Sequence, residues 1–310
     1  MSFRLQRGRP CDAELRRVTL YQIGLAETHC RNVADNPLKA PHEARKAIKK
    51  IRATLRLARS ADPEFYRAEN ARWRDISAAL AGPREMAALI ETVDRFIGEY
   101  GSPANRTTLL TLRARLVVRL DALSAETSAL EAAAQRCVQG CAAAKESVVA
   151  WNLPSGRKAG AHLLARGVKA AWNEAEAARK RAGRLGEEDD FHDLRKAVKR
   201  HWTHLGLLQD FLPGPVKQRR KAVEALGEAL GELNDIYVME SLIRAGEIEM
   251  DFDPQGQFTH LLAQKRQALW DLSLTQARRL FAEPPRQLKT TFESASTESV
   301  SRTERQAEVA

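Results

Sequence analysis

The sequence predicts an all-α protein made of two copies of one helical unit. Three observations carry that reading. Aromatic residues make up only 6% of the 310 residues while Ala, Leu, Glu and Arg abound, a balance that favours helix over sheet. The stretch 42–59, HEARKAIKKIRATLRLAR, is two-faced when wound at about 100° per residue. His42, Arg45, Lys49, Arg52, Arg56 and Arg59 share one side, and Ala44, Ala47, Ile48, Ile51, Leu55 and Ala58 share the other. The stretch then recurs 150 residues later as HDLRKAVKRHWTHLGLLQD, 192–210. His42, Arg45, Lys46, Ala47, Lys49, Leu55 and Leu57 return as His192, Arg195, Lys196, Ala197, Lys199, Leu205 and Leu207. The same ungapped shift pairs Pro63 with Pro213, Arg67 with Lys217, Ala79 with Ala229, Leu80 with Leu230, and Arg16 and Val18 with Arg166 and Val168. One offset held over so much chain marks a duplication.

Taken in order, the first helix is expected over 12–33, with Asp12 as N-cap and Asn36-Pro37 beyond its end. Pro41 suits the first position of the basic helix. Asp62-Pro63 starts a third helix ending near residue 81, and Gly82-Pro83 restarts the chain into 84–98. Gly101-Ser102-Pro103 is a turn and cap, followed by helix to about residue 150 with a break near Gly140. Pro154-Ser155-Gly156 separates the copies, 10–152 and 154–283. The second copy opens with helix 157–184, crosses the acidic loop 186–190 and enters the second His helix. Pro213-Gly214-Pro215 starts helix 216–230, Asn234-Asp235 opens a short helix to about 245, and a last helix spans 253–282 before Pro284-Pro285. Residues 286–310 are Ser/Thr/Glu-rich, with four basic and four acidic side chains, and are expected to be disordered.

Bulk properties narrow the function. The net charge is +10 and the pI about 9.7, so an acidic partner is expected. The N-terminus lacks an apolar run, so no secretory signal is expected. No window approaches the ~18 apolar residues of a membrane span. Cys11, Cys30, Cys137 and Cys141 then read as reduced thiols of a cytoplasmic protein. The motifs of phosphate-loop, serine-nucleophile and zinc-protease enzymes (GxxxxGK[ST], GxSxG, HExxH) are missing from the chain. No enzyme chemistry, cofactor or metal is expected. Cys137 and Cys141, and likewise His201 and His204, stand one helical turn apart, but neither pair has neighbours that complete a ligand set. Trp172 and Trp202 read as core rather than as a base-stacking platform.

His42-x2-Arg45-x3-Lys49-x2-Arg52 and His192-x2-Arg195-x3-Lys199 resemble the paired signature of the CHAD family, the conserved-histidine α-helical domains. Leu230-Gly231-Glu232-Leu233-Asn234-Asp235 is similar to the family's Leu-Gly-x-x-(Arg/Asn)-Asp, and Leu80-Ala81-Gly82-Pro83-Arg84-Glu85 stands in its place in the first copy. The resemblance covers residues 10–283. It implies two helical bundles packed about a pseudo-two-fold axis, with the His helices central. It also implies binding of inorganic polyphosphate and association with polyphosphate granules. The chain departs from the family pattern at Glu85, where Asp is usual, and at Trp202, where a basic residue is expected. Gly206 and Gln209 stand opposite Arg56 and Arg59, so the second basic row is the shorter.

Physical chemistry supports the same ligand class. Residues 39–59 hold eight Lys or Arg and one acid, Glu43. Like charges one turn apart repel, so such a row is costly to hold without an anion lying on it. A polyphosphate chain has no bases to read, and Arg forks and Lys point charges suffice to hold it. His42 and His192 stand in the first turn of their helices, where free N–H groups already favour an anion. The expected binding residues are His42, Arg45, Lys49, Arg52, Arg56, His192, Arg195, Lys199 and Arg200, with Arg16, Arg166 and Lys169 beside them. The alternatives are a nucleic-acid binder, since basic helices suit any phosphate backbone, or a scaffold for protein partners.

Overall fold

A computed structural model describes residues 3–297, apart from 82–83, 101–102, 126, 213–215, 250, 252, 254–255 and 287. Among the described residues there are eleven helices and no strand. They are α1 (Cys11–Arg31), α2 (Lys39–Leu57), α3 (Pro63–Ala79), α4 (Arg84–Tyr100), α5 (Pro103–Ala125), α6 (Thr127–Val149), α7 (Arg157–Arg184), α8 (Glu188–Leu207), α9 (Val216–Arg244), α10 (Gln257–Leu280) and α11 (Leu288–Thr297).

Local chemistry explains many of the boundaries. Asp62 Oδ1 accepts from the Phe65 amide at 3.0 Å, and Pro63 follows as the first helical residue, so α3 is capped as its sequence requires. Asp253 accepts from the amides of Phe258 and Thr259, each at 3.2 Å, which satisfies two free donors at the start of α10. Asp12 does not cap α1. Pro10 holds that position, and Asp12 pairs with Arg16 one turn along. Pro41 lies two residues inside α2 instead of opening it.

Two hydrophobic cores fill the molecule. The first takes Leu15, Val18 and Ile23 of α1, the stripe of α2, Trp73 of α3 and Cys137, Cys141 and Val148 of α6. The second takes Phe96 of α4, Leu109, Leu112 and Leu116 of α5, and apolar faces of α8, α9 and α10. Helix α7 serves both. Leu163, Leu164 and Val168 enter the first core, and Trp172, Ala175 and Ala178 the second. The α4–α5 hairpin precedes residue 153 in the chain yet packs on α9 and α10. The sequence division at 152–154 is therefore one of chain order and not of packing.

Three expectations are corrected. Residues 216–244 form one helix, not two. Neither Pro nor a side-chain cap interrupts 230–235, and Asn234 and Asp235 turn to α8 and α4 for partners. Helix α5 runs to Ala125 and α6 from Thr127, so the interruption expected near Gly140 is absent. Gly140 lies inside α6, where a Cβ would meet Ile76 Cδ1 of α3 at 3.1 Å. The tail is not wholly disordered: Leu288–Thr297 is helical and docks on α7. Phe292 is fully buried there beside Phe211, and the His162 ring nitrogen lies 3.1 Å from Glu293 Oε1. A single buried aromatic anchors a segment whose average polarity hides it. Residues 298–310 lie outside the described set.

Three close approaches place the functional helices. A Cβ on Gly167 of α7 would stand 2.0 Å from the Leu57 carbonyl oxygen, so α7 meets the end of α2 almost backbone to backbone. His204 Nε2 of α8 donates to the Ala53 carbonyl of α2 at 2.9 Å. Leu5, fully buried, donates its amide to the Leu207 carbonyl at 2.9 Å and closes the far end of α8.

Candidate anion-binding site

Helix α2 buries Ala44, Ala47, Ile48, Ile51 and Leu55, which turns the predicted basic row outward. His42 and Arg45 are half-buried and Lys49 is exposed. The Arg45 Nε is shielded from solvent and has no hydrogen-bond acceptor among the described residues. Arg52 donates from Nε to Asn70 Oδ1 of α3 at 3.0 Å. Burial pulls its guanidinium below the ordinary arginine value, a sign that its charge is under-solvated.

Farther along, the row meets a carboxylate from α7. Glu174 Oε2 accepts from Arg56 Nε and Nη2 at 3.1 and 2.9 Å, and Oε1 accepts from Arg59 Nη1 at 2.6 Å. Arg200 of α8 reaches the same carboxylate at 3.4 Å. Arg56 Nη1 also donates to the Tyr66 hydroxyl at 3.0 Å. Burial alone would raise Glu174. The charges of Arg56, Arg59 and Arg200 outweigh it and hold the carboxyl below its usual range. Arg200 is itself pulled down by burial and then by the neighbouring Arg56 charge. Three guanidiniums from two helices and the turn after α2 thus converge on one anion.

On α8, His192 Nδ1 lies 2.9 Å from Asn234 Oδ1 of α9. Asp235 accepts from Thr92 Oγ1 of α4 at 3.2 Å. Burial raises the Asp235 carboxyl, and Arg195, Thr92 and Arg95 only partly offset it. Crowding by protein atoms, followed by the Arg195 charge, lowers the Lys199 ammonium, with Asp235 opposing. The Asn-Asp dipeptide therefore supports the second basic row from behind: Asn234 fixes the His192 ring, and Asp235 sits near Arg195 and Lys199.

One turn past Lys199 the row changes character. Trp202 is partly buried, and the Arg220 guanidinium of α9 lies over its ring, 4.3 Å from the centroid. A Cβ on Gly206 would stand 3.4 Å from Arg220 Cζ. The three outlying basic residues are placed differently from one another. Arg16 bonds Asp12 at 2.9 Å and the Trp151 carbonyl at 2.7 Å, tying α1 to the chain after α6. Arg166 and Lys169 are exposed on α7.

Of the residues read as core in the sequence, Cys137, Cys141 and Trp172 lie in the interior, whereas Trp202 is only partly buried. Cys30 is buried as well. His201 packs edge-on against Phe281. Among the described residues no group of three His, Cys, Asp or Glu side chains could hold a metal ion. Glu174 and Arg220 are not legible as site residues in the sequence. Glu174 stands in an ordinary mixed-charge helix, and only folding brings it to α2. Arg220 carries a signal only in the sequence offset: a shift of 150 sets it opposite Asn70, the partner of Arg52.

The sequence matches the CHAD domain family over residues 21–244. Among solved structures, the fold is similar to the CHAD domain from the plant Ricinus communis, with a TM-score of 0.60. The likeness covers 92% of this chain and 99% of that one at 17% identity. No curated protein matches the sequence.

Proposed function

The chain belongs to the CHAD domain family, and from that premise we propose that it binds inorganic polyphosphate through the basic faces of α2 and α8, without chemistry of its own. One observation carries the reading. Arg56 and Arg59 of the first basic row and Arg200 of the second already surround a single anionic group, the Glu174 carboxylate. A phosphate oxygen pair has the same charge sign and hydrogen-bonding geometry as that carboxylate. The remaining cations extend the site on either side. His42, Arg45, Lys49 and Arg52 lead away along α2, and His192, Arg195 and Lys199 along α8, with Arg166 and Lys169 on the surface of α7.

Electrostatics favours an extended polyanion over a small ion. Arg52, Lys199 and Arg200 are all lowered, with burial the largest cause in each. A bound phosphate restores the interaction that water no longer provides, and each further phosphate meets a further cation. The row on α2 from His42 to Arg59 spans roughly 25 Å, long enough for several phosphates of one chain. Association with polyphosphate granules follows from such a grip, and no described helix is long and apolar enough to cross a membrane.

The decisive test is competition at physiological salt. Labelled long-chain polyphosphate is displaced by unlabelled polyphosphate, short phosphates, RNA and duplex DNA of equal charge. Polyphosphate is expected to compete best. Equal or tighter competition by DNA or RNA would replace the reading with a nucleic-acid interface. Phosphate release above blank that copurifies with the protein would make it an enzyme.

A further inference from the structure

We infer that Arg220 is a ligand-binding cation of the second basic row, supplied from α9 where α8 has lost its own. The inference rests on the polyphosphate reading above and adds a residue to that site.

The argument begins with two aligned pairs. At the offset of 150, Arg52 corresponds to Trp202 and Asn70 to Arg220. In the first copy the cation is on the His helix: Arg52 of α2 bonds Asn70 of α3 at 3.0 Å. In the second copy the cation is on the neighbouring helix: Arg220 of α9 covers Trp202 of α8 at 4.3 Å. Each junction therefore carries one guanidinium and one uncharged partner, exchanged between the helices.

The guanidinium also lies where the row should continue. Along α8, Arg195, Lys199, Trp202 and Gly206 fall on one side of the helix, as Arg45, Lys49, Arg52 and Arg56 do on α2. Arg220 lies over Trp202 and within van der Waals reach of the space above Gly206. The shortness of the second row, read from α8 alone, is thus made up from α9. Glycine at 206, where the first copy has Arg56, leaves that space to the Arg220 head group.

A packing role alone does not account for the electrostatics. Arg220 has no acidic partner among the described residues, and its shielded Nε has no acceptor. Its charge instead acts on Lys50 of α2, whose ammonium is lowered first by burial and further by Lys46 and Arg220. Stacking on Trp202 offsets part of that repulsion and holds the planar fork in one orientation. A phosphate oxygen would satisfy the remaining donors and relieve Lys50 at once.

The test compares polyphosphate affinity across salt concentrations for four proteins: wild type, Arg220→Gln, Arg220→Lys and the exchange Trp202→Arg with Arg220→Asn. Lys221→Gln, exposed on the same helix, is the charge control, and melting temperatures show which variants are folded. Arg220→Gln is expected to lose about three- to tenfold in affinity and to lower the log–log salt slope by roughly 0.7–0.9. Arg220→Lys should keep the slope, and the exchange should restore both slope and affinity. A folded Arg220→Gln with wild-type affinity and slope, in a protein that still binds polyphosphate, overturns the inference and leaves the function standing. An effect equal to that of Lys221→Gln overturns it as well. Failure of wild type to bind polyphosphate sinks both.

Discussion

Glu174 Oε2 stands 2.9 Å from Arg56 Nη2, across a seam where α7 runs against the end of α2. The carboxylate comes from one helix and the guanidinium from another, 118 residues apart in the chain. Arg59 and Arg200 share the same acid, so the anion that the basic helices have drawn in is one of the protein's own side chains. It offsets the repulsion among the cations, and under the proposed function it would compete with a phosphate bound there.

Glu174→Gln is therefore expected to tighten polyphosphate binding and weaken the fold together. The amide keeps the shape but removes a charge that three arginines hold. Affinity should rise on the order of tenfold, ~1.4 kcal/mol. Stability should fall by about 1–3 kcal/mol, the scale of hydrogen bonds to charged groups. Isothermal titration and thermal melting read the two effects. Weaker binding in the variant would show that Glu174 positions the arginines instead of competing for them.

The legible and illegible parts of this molecule divide on physical grounds. The sequence marks α7 with its observed bounds, because Gly156 and the loop at 186 punctuate its ends. The inward stripe of α2 is also visible, since helical periodicity alone decides it. The break expected in α9 at Asn234 is absent. That residue suits a cap, but its partner is a distant histidine, which no local pattern reveals. The α4–α5 hairpin lies in the second core for the same kind of reason, because apolar patterning shows that a face is buried without showing against what. Glu174 meets Arg56 from 118 residues away, and Arg220 meets Trp202 from the neighbouring helix, contacts that no local pattern reveals.

Stability is expected to fall on mild acidification. Burial lowers His201 to about 3, with Arg219 adding to it. Burial likewise lowers His204 to about 4, although the Ala53 carbonyl opposes the shift. The unfolded chain returns both to about 6.5, so between those values it holds protons that the folded chain does not. Their contribution is complete above pH 6.5 and is lost as pH falls from there toward 3. The raised carboxyls of Glu69 and Asp235 act in the opposite sense at the acidic end. Melting temperatures at about pH 7.5 and about pH 5 check this, since the two values bracket the unfolded histidine pKa. An unchanged value, or one that rises at the lower pH, would contradict the neutral burial of these rings.

Gly167→Val should be among the most damaging single changes. The added Cβ would meet a backbone carbonyl at 2.0 Å, and a backbone cannot swing aside as a side chain does. A loss above ~3 kcal/mol is expected, as for other overpacked backbone contacts. Separation of α7 from α2 would also pull Glu174 from Arg56. Circular dichroism and melting measure the first effect. A stable variant would mean that the two helices do not approach this closely.

Phe292→Ala tests the docked C-terminal helix. Phe292 is fully buried against the first core, near Phe211. Truncating a buried Phe costs about 3–5 kcal/mol where the site cannot collapse. The melting temperature should fall, and the α11 segment around Phe292 should become cleavable by protease. Polyphosphate affinity of the folded fraction should stay near wild type, since α11 packs on α7 and carries none of the expected binding residues. A variant that melts as wild type does would show that α11 adds no stability.

Two sets of basic residues should separate affinity from stability. Arg45 and Lys49 belong to the outward row of α2, on the face opposite its buried stripe. Arg16 belongs to the frame: it pairs with Asp12 on its own helix and bonds the Trp151 carbonyl, which joins α1 to the chain leaving α6. Arg45→Gln with Lys49→Gln is expected to weaken polyphosphate binding and lower the salt slope by roughly 1.5, two phosphate contacts' worth, with little change in melting. Arg16→Gln should do the reverse. It leaves a buried carbonyl without its donor, which costs about 1–3 kcal/mol, and it leaves the slope unchanged because no contact with the ligand is removed. Measuring slope and melting temperature on both variants decides the matter. If Arg16→Gln lowers the slope while the Arg45–Lys49 variant does not, the ligand lies along α1, and the basic face of α2 is only solvated surface.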